Sequence, residues 1–284
     1  MAIFSNQATL NYKGTSTNSN IAYGEILEVL TATKTSVEGD YTPGEPVTYV
    51  VTLRNTGNAT LNAISVFDDL GGYDVGGTIV YPLTYEDGSV KLFIDGVLQP
   101  APAVVPGPPL VVNGINIPAG SDAVLIYQAR ANAYANPAAG GVITNTVIMT
   151  SPALNVPVSA SETVEATVAP ILSISKSICP AVVVDNDRVT YTFIIQNSGN
   201  QEVIATDNAT VSDLFDPILT ALSVSFNGVP WTEGVEYSYD EASGQFTTLP
   251  GAITVPAATY VQDPVTGEYT VTPGMSTLMI TGTI

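Results

Sequence analysis

Val47-Thr48-Tyr49-Val50-Val51-Thr52-Leu53-Arg54-Asn55-Thr56-Gly57-Asn58 is followed later in the chain by Val189-Thr190-Tyr191-Thr192-Phe193-Ile194-Ile195-Gln196-Asn197-Ser198-Gly199-Asn200. Both stretches are runs of β-branched and aromatic residues that end in an Asn-x-Gly-Asn turn, the signature of a strand and its exit. Val142-Ile143-Thr144-Asn145-Thr146-Val147-Ile148 has the same character, and no amphipathic helical stretch of useful length competes. The expected fold class is all-β, as Ig-like sandwiches.

Working outward, the repeat extends. Leu30-Thr31-Ala32-Thr33-Lys34 answers Leu172-Ser173-Ile174-Ser175-Lys176 at an offset of 142 residues (176 − 34), the same offset that relates Tyr49 to Tyr191 and Gly57 to Gly199. Val66-Phe67-Asp68 matches Val211-Ser212-Asp213, and Val124-Leu125-Ile126 matches Leu278-Met279-Ile280. Two tandem domains follow. After Ile126 the first repeat runs on through two more strands, roughly Val142 to Met149 and Val158 to Val168, whereas the second stops at Ile284. The second repeat is therefore expected to lack its closing strands. Phe4-Ser5-Asn6-Gln7-Ala8-Thr9-Leu10 aligns with Ile143-Thr144-Asn145-Thr146-Val147-Ile148-Met149. The expected division is residues 1–29 as donor strands, 30–169 as a complete first domain, and 170–284 as an incomplete second one.

An open sandwich exposes apolar core and unpaired backbone, and a lone pair of strands is marginal in water. Three readings stay open. Residues 1–29 fold back onto the second domain, or they complete the second domain of a neighbouring copy, or the short Thr/Asn-rich match is accidental. Donation between copies is heterologous and does not close on itself, so it builds a head-to-tail homopolymer. In that reading Phe4, Asn6, Ala8 and Leu10 form the inserted face.

Composition narrows the function. The 284 residues are 45% hydrophobic, and 26 acidic residues against 7 basic ones give a net charge of −19 with no histidine. Such a chain is repelled by phosphate backbones, so nucleic acid is not an expected partner. Histidine-dependent triads and histidine-ligated metals are excluded. No cofactor and no metal is expected. No run of 18 apolar residues occurs, so no membrane insertion is expected. The opening Met1-Ala2-Ile3-Phe4-Ser5-Asn6-Gln7 has no basic, long apolar leader, and no signal peptide is expected. The single Cys179 reads as an inert small residue, with an intermolecular disulfide as the alternative.

Strand parity places the candidate chemistry. Leu172 and Ile174 share a face with Lys176, as Leu30 and Ala32 do with Lys34, so both amines are expected to point inward. By the same test Asn145 sits inward with Ile143, Val147 and Met149, and Asn6 with Phe4, Ala8 and Leu10. Asp68 shares a face with Val66, and Asp213 with Val211. Each complete domain would hold one inward lysine, one aspartate and one asparagine, a set that resembles the intramolecular isopeptide domains of Gram-positive surface proteins. There a lysine amine attacks an asparagine carboxamide and an acid assists. Burial disfavours both charged forms, which leaves the amine free to attack and the acid free to donate, and loss of ammonia leaves an uncharged amide. The implied crosslinks are Lys34–Asn145 within the first domain and Lys176–Asn6 between copies, with Asp68 and Asp213 as assisting acids. Asp69 is an alternative to Asp68. The other reading of the same residues is a buried Lys–Asp ion pair with Asn as its hydrogen-bond partner.

Asp185-Asn186-Asp187 and Asp68-Asp69 could ligate calcium, but no spaced Asp/Asn loop with a closing Glu is present, and solvated turns are the better reading. No carboxylate pair is nominated for glycoside hydrolysis, and Trp231 alone is little for a sugar platform. Asn58-Ala59-Thr60 and Asn208-Ala209-Thr210 fit the N-glycosylation triplet.

Lys34, then Pro43-Gly44-Glu45-Pro46-Val47-Thr48-Tyr49, Asn55-Thr56-Gly57, Val66-Phe67-Asp68, Ala119-Gly120 and Thr144-Asn145-Thr146 together resemble the conserved-repeat domain called domain of unknown function eleven, found in tandem on bacterial and archaeal surface proteins. The resemblance covers nearly the whole chain. It implies an extracellular Ig-like module that is structural or adhesive and not an enzyme. The second repeat departs from it: Val184-Asp185-Asn186-Asp187 replaces Pro-Gly-Glu, and the Thr-Asn-Thr strand is missing. In size and style the chain is also similar to the ribbon-like appendage proteins of clostridial spores, which are assembled in the mother cell without export. The function expected from these readings is a self-assembling fibre subunit of the cell or spore surface whose adhesion target is unknown. The alternative is a monomeric ligand-binding adhesin.

Overall fold

The computed structural model describes residues 2–26, 28–184 and 187–284. The chain is all-β and divides into two compact units, one of residues 1–73, 79–132 and 143–164, the other of 74–78, 133–142 and 165–284. Of the acidic stretch at 185–187, residues 185 and 186 lie outside the described residues.

The N-terminal segment is a bent hairpin. Strands β1 (Ala2–Asn6) and β4 (Ala22–Ile26) pair at its base, and β2 (Thr9–Tyr12) and β3 (Thr15–Asn18) pair at its tip. Lys13 and Gly14 make the two-residue turn with φ of 47° and 82°, left-handed values that suit the twist of a tight hairpin. Phe4, Leu10, Tyr12 and Tyr23 are all exposed, and the Phe4 ring lies over Gly24, its cross-strand neighbour.

The first unit is a sandwich of two six-stranded sheets. Its strands are β5 (Leu30–Ser36), β6 (Asp40–Tyr41), β7 (Pro46–Asn55), β8 (Leu61–Asp68), β11 (Leu83–Tyr85), β12 (Lys91–Ile94), β13 (Val97–Leu98), β14 (Ala103–Val105), β15 (Leu110–Ile117), β16 (Asp122–Ala131), β17 (Val142–Thr150) and β18 (Val158–Ala166), while β9 (Tyr73–Val75) and β10 (Thr78–Val80) form a separate small hairpin whose residues 74–78 belong to the other unit. One sheet runs β13-β12-β16-β7-β5 with β11 also on β16; the other runs β14-β15-β8-β17-β18-β6. Alternation is strict where the sheets face each other: Val47, Tyr49, Val51 and Leu53 of β7, and Ile143, Asn145, Val147 and Met149 of β17, are buried while their neighbours face outward. Each fully buried aliphatic side chain of this kind contributes about 1.5–3 kcal/mol.

The Asn-x-Gly-Asn turns are more than solvated punctuation. Asn55 is buried, and its Nδ2 donates to the carbonyls of Ala59, Ile117 and Pro118 at 2.8, 3.0 and 2.9 Å while its Oδ1 accepts from Gly57 N at 2.9 Å. Asn197 repeats the clamp, donating to Gln201 O and Pro256 O at 2.6 and 3.1 Å and accepting from Gly199 N and Ile171 N, each at 2.9 Å. A Cβ at Gly199 would lie 2.2 Å from the Ala169 carbonyl oxygen, so only glycine fits there.

The second unit has β19 (Leu172–Cys179), β20 (Arg188–Asn197), a turn of 3-10 helix (Ala205–Asp207), β21 (Ser212–Leu214), β22 (Thr220–Phe226), β23 (Val229–Pro230), β24 (Tyr237–Asp240), β25 (Gln245–Thr248), β26 (Thr259–Gln262), β27 (Tyr269–Thr272) and β28 (Gly274–Thr283). Its main sheet, β19-β20-β28-β22-β23, matches β5-β7-β16-β12-β13 strand for strand. The opposing sheet is only β21-β25-β24, with β26-β27 as a separate hairpin. In the first unit β8 lies between β15 and β17; in the second, β21 pairs with β25 and forms the edge. Among the described residues of the second unit, no strand takes the places of β17 and β18.

Candidate functional site: a buried Lys-Asp-Asn cluster and its open counterpart

β5 carries Lys34 into the first unit on the face of Leu30, opposite Val51 of β7. β8 ends in Asp68, and β17 brings Asn145 from the same sheet as Asp68. All three residues are buried, as strand parity requires. Lys34 Nζ is 2.7 Å from Asp68 Oδ2, with side-chain exposures of 0% and 2%. The amine also lies 4.7 Å from the centroid of the Tyr49 ring and 5.8 Å from that of Tyr127. The two rings stack at 5.6 Å. Asp69 faces elsewhere: its Oδ1 accepts from the backbone N–H of Gly71 and of Thr146, both at 2.9 Å.

Tyr127, from β16, joins the acid to the amide. Its hydroxyl donates to Asp68 Oδ2 in a very short contact and accepts from Asn145 Nδ2 at 3.4 Å. Asn145 Oδ1 and the Tyr49 hydroxyl are buried without a hydrogen-bond partner, a costly state for polar atoms. Burial pushes the Lys34 ammonium below its ordinary pKa, against the pull of Asp68. Burial, and then the charge of Asp68, hold both tyrosine hydroxyls above theirs. The site thus has a nucleophile biased toward its neutral form, a carboxylate to receive its proton, and a carboxamide with an unengaged carbonyl.

The second unit holds the same pair in a different setting. Lys176 and Asp213 form a short ion pair, but their side chains are 39% and 18% exposed. Tyr191, Phe193 and Phe215 surround the amine at 4.5, 5.5 and 5.4 Å. Among the described residues no asparagine carboxamide is hydrogen bonded to the pair. Every residue of β19 is exposed, Leu172 at 46% and Ile174 at 55%, where the equivalent Leu30 is at 2%. Below this open face lies a closed core that includes Phe193, Phe215, Phe246 and Leu278. Asn6 lies on β1, exposed, opposite Ala22.

Tyr127 escapes a search for lysine, acid and amide, although parity puts it on the inward face with Leu125 and Ala129. Trp231 stacks on Phe226 at 4.9 Å and packs against the core of the second unit. Cys179 is a free, exposed thiol at the end of β19. Among the described residues no group of acidic or cysteine side chains is arranged to hold a metal ion, and no helix is long and apolar enough to cross a membrane.

No protein-family model matches the chain, and no curated protein matches its sequence. Among solved structures, the major pilin subunit BcpA of Bacillus cereus is similar over 96% of this chain and 73% of its own, at 13% identity and a TM-score of 0.36. The pilus backbone protein RrgB of Streptococcus pneumoniae is similar over 86% of this chain at 10% identity and a TM-score of 0.35, and this chain spans 55% of its length. The collagen-binding domain of a Staphylococcus aureus adhesin is similar over 49% of this chain and 99% of its own, at 10% identity and a TM-score of 0.29.

Proposed function

We propose that the chain is a structural subunit of a surface fibre that polymerises head to tail, the hairpin of residues 2–26 from one copy completing the second unit of the next. One observation carries this reading: the same strand, repeated at β5 and β19, is covered in the first unit and bare in the second. The strand pairing supports the choice of occupant. In the hairpin β1 pairs with β4 antiparallel, Ser5 opposite Tyr23; in the first unit β17 lies beside β18, Thr144 bonding across to Thr163 at 2.9 Å and Thr146 to Ser161 at 3.1 Å. The hairpin is therefore a pair of adjacent strands of the kind that the second unit lacks among its described residues. Since Val147 pairs with Asp68, insertion on the same pattern would set Ala8 opposite Asp213 and turn Asn6 toward Lys176.

Two isopeptide bonds follow from the side chains so placed, Lys34–Asn145 within each copy and Lys176–Asn6 between copies. The second pair is open to water until a docked hairpin covers it, so the covalent step follows docking. No turnover of an external substrate enters this reading. An appendage outside the cell, at the spore surface as the resemblance to spore appendages implies, is where such a fibre would serve.

Deleting residues 1–29 tests assembly. The truncated chain is expected to stay monomeric with a destabilised second unit, and a synthetic peptide of residues 2–26 should raise the melting temperature of that unit. Filaments of normal length from the truncated chain would refute donation. A full chain that remains monomeric at high concentration would favour the ligand-binding adhesin.

A further inference from the structure

The Lys34–Asn145 reaction has a step that neither the lysine nor the aspartate is placed to complete. When the bond from Asn145 Cγ to Nδ2 breaks, the departing nitrogen needs a proton, because the amide anion is a far poorer leaving group than ammonia. Asp68 Oδ2 is engaged by Lys34 Nζ and by the Tyr127 hydroxyl. The hydroxyl that meets Nδ2 is that of Tyr127.

We propose that Tyr127 is a catalytic residue of the first unit, relaying a proton from Asp68 to the departing nitrogen of Asn145. This inference rests on the isopeptide reading above. Lys34 first passes one ammonium proton to Asp68, and the neutral amine attacks Asn145 Cγ. The Nζ–Cγ bond forms and the carbonyl electron pair moves onto Oδ1, the atom left without a partner in the resting site. As that pair returns, the Cγ–Nδ2 bond breaks. Nδ2 takes the proton of the Tyr127 hydroxyl, and Tyr127 takes the proton held by Asp68. Ammonia departs, and the second proton shed by Nζ goes to the freed Asp68 carboxylate. An ammonium, a carboxylate and a carboxamide become an uncharged amide, a protonated acid and ammonia, with atoms and charge conserved.

The second unit sharpens the assignment. β28 sets Ile280 opposite Tyr191 where β16 sets Tyr127 opposite Tyr49. The counterpart of Tyr127 therefore has no hydroxyl, and the two units are not chemically equivalent even though lysine and acid recur. Burial and the Asp68 charge keep the Tyr127 hydroxyl protonated, as a relay must be at rest.

The test follows bond formation in the full chain, made by cell-free translation and sampled by intact mass after a chase, each bond removing one ammonia, about 17 Da, as in amide formation by a lysine nucleophile. The unaltered chain is expected to lose this mass early, and Tyr127→Phe to lose it about a hundredfold more slowly, the lower end of what a positioned acid–base group contributes. An unaltered chain that never loses mass would overturn the isopeptide reading itself. A Tyr127→Phe chain that loses mass at the normal rate would overturn the relay alone. If the phenylalanine variant fails to fold, 3-fluorotyrosine at position 127 keeps the shape and makes the hydroxyl a stronger acid. A shifted pH–rate profile supports the relay, and an unchanged one overturns it, because packing alone would not respond to hydroxyl acidity.

Discussion

A lysine enclosed as Lys34 is leaves a mark on stability that can be read in a chain where the proposed crosslink is blocked. In an Asn145→Ala chain Lys34 stays an amine, and its folded-state pKa lies below the ordinary 10.5 because burial disfavours the ammonium. The unfolded chain then binds more protons between the folded value and 10.5, so stability should rise with pH through that window and stay flat beneath it. Tyr49 and Tyr127 oppose this above about pH 10, the ordinary tyrosine value, since their raised pKa values make folding costlier where unfolded tyrosine ionises. Urea midpoints of Asn145→Ala against the Lys34→Met/Asp68→Leu/Asn145→Ala variant isolate the lysine. The single variant should gain on the triple one as pH rises from neutrality toward 10, and a constant gap would show that Lys34 is not held low. The inward placement of Lys34, Asp68 and Asn145 was legible because parity on a strand is binary. The Asn55 and Asn197 clamps were not, because a polar residue beside glycine at a strand end reads as a solvated turn. The signal available was that the same asparagine closes a buried strand in both repeats.

Among the elements, β5 and β7 and their counterparts β19 and β20 follow from alternation and from the 142-residue offset, whereas β16 and β28 match at a longer spacing (278 − 124 = 154) that the strand pairing corrects by one residue, setting Ile280 rather than Thr281 in the place of Tyr127. The hairpin was only half legible. Phe4 to Leu10 alternates, but Thr15-Ser16-Thr17-Asn18-Ser19-Asn20 contains no apolar residue, so its pairing has no period to betray it and only the Lys13-Gly14 turn marks it. That turn offers a test at this scale. Valine at position 14 would have to adopt the left-handed φ that Gly14 holds at 82°, at a cost of about 1–2 kcal/mol. An isolated hairpin has little stability to lose. Gly14→Val should therefore lengthen the lag before light scattering rises during assembly, while the melting of the first unit stays unchanged. Unaltered assembly kinetics would mean that the preformed hairpin is not the docking species.

For the molecule as a whole, the proposed joining of copies would bring together chains that each carry a net charge of −19. The repulsion acts over about 30 Å at 0.01 M salt and about 8 Å at 0.15 M, and it opposes encounter more than it loosens the apolar contact that follows. Assembly should therefore quicken as salt is raised across that range, with little change in the dissociation of finished polymer; a rate that falls with salt would point to a charge-attracted contact instead. The two positions of the proposed crosslink in the first unit also lie near the ends of its fold, Lys34 on its first sandwich strand and Asn145 on its penultimate one. A polymer pulled from its ends would carry tension from Asn6 along the backbone to Lys34, across the amide to Asn145, and on to Lys176. Residues 35–144 would bear none of it, so the sandwich between them would be mechanical ballast, free to vary in its loops without weakening the thread.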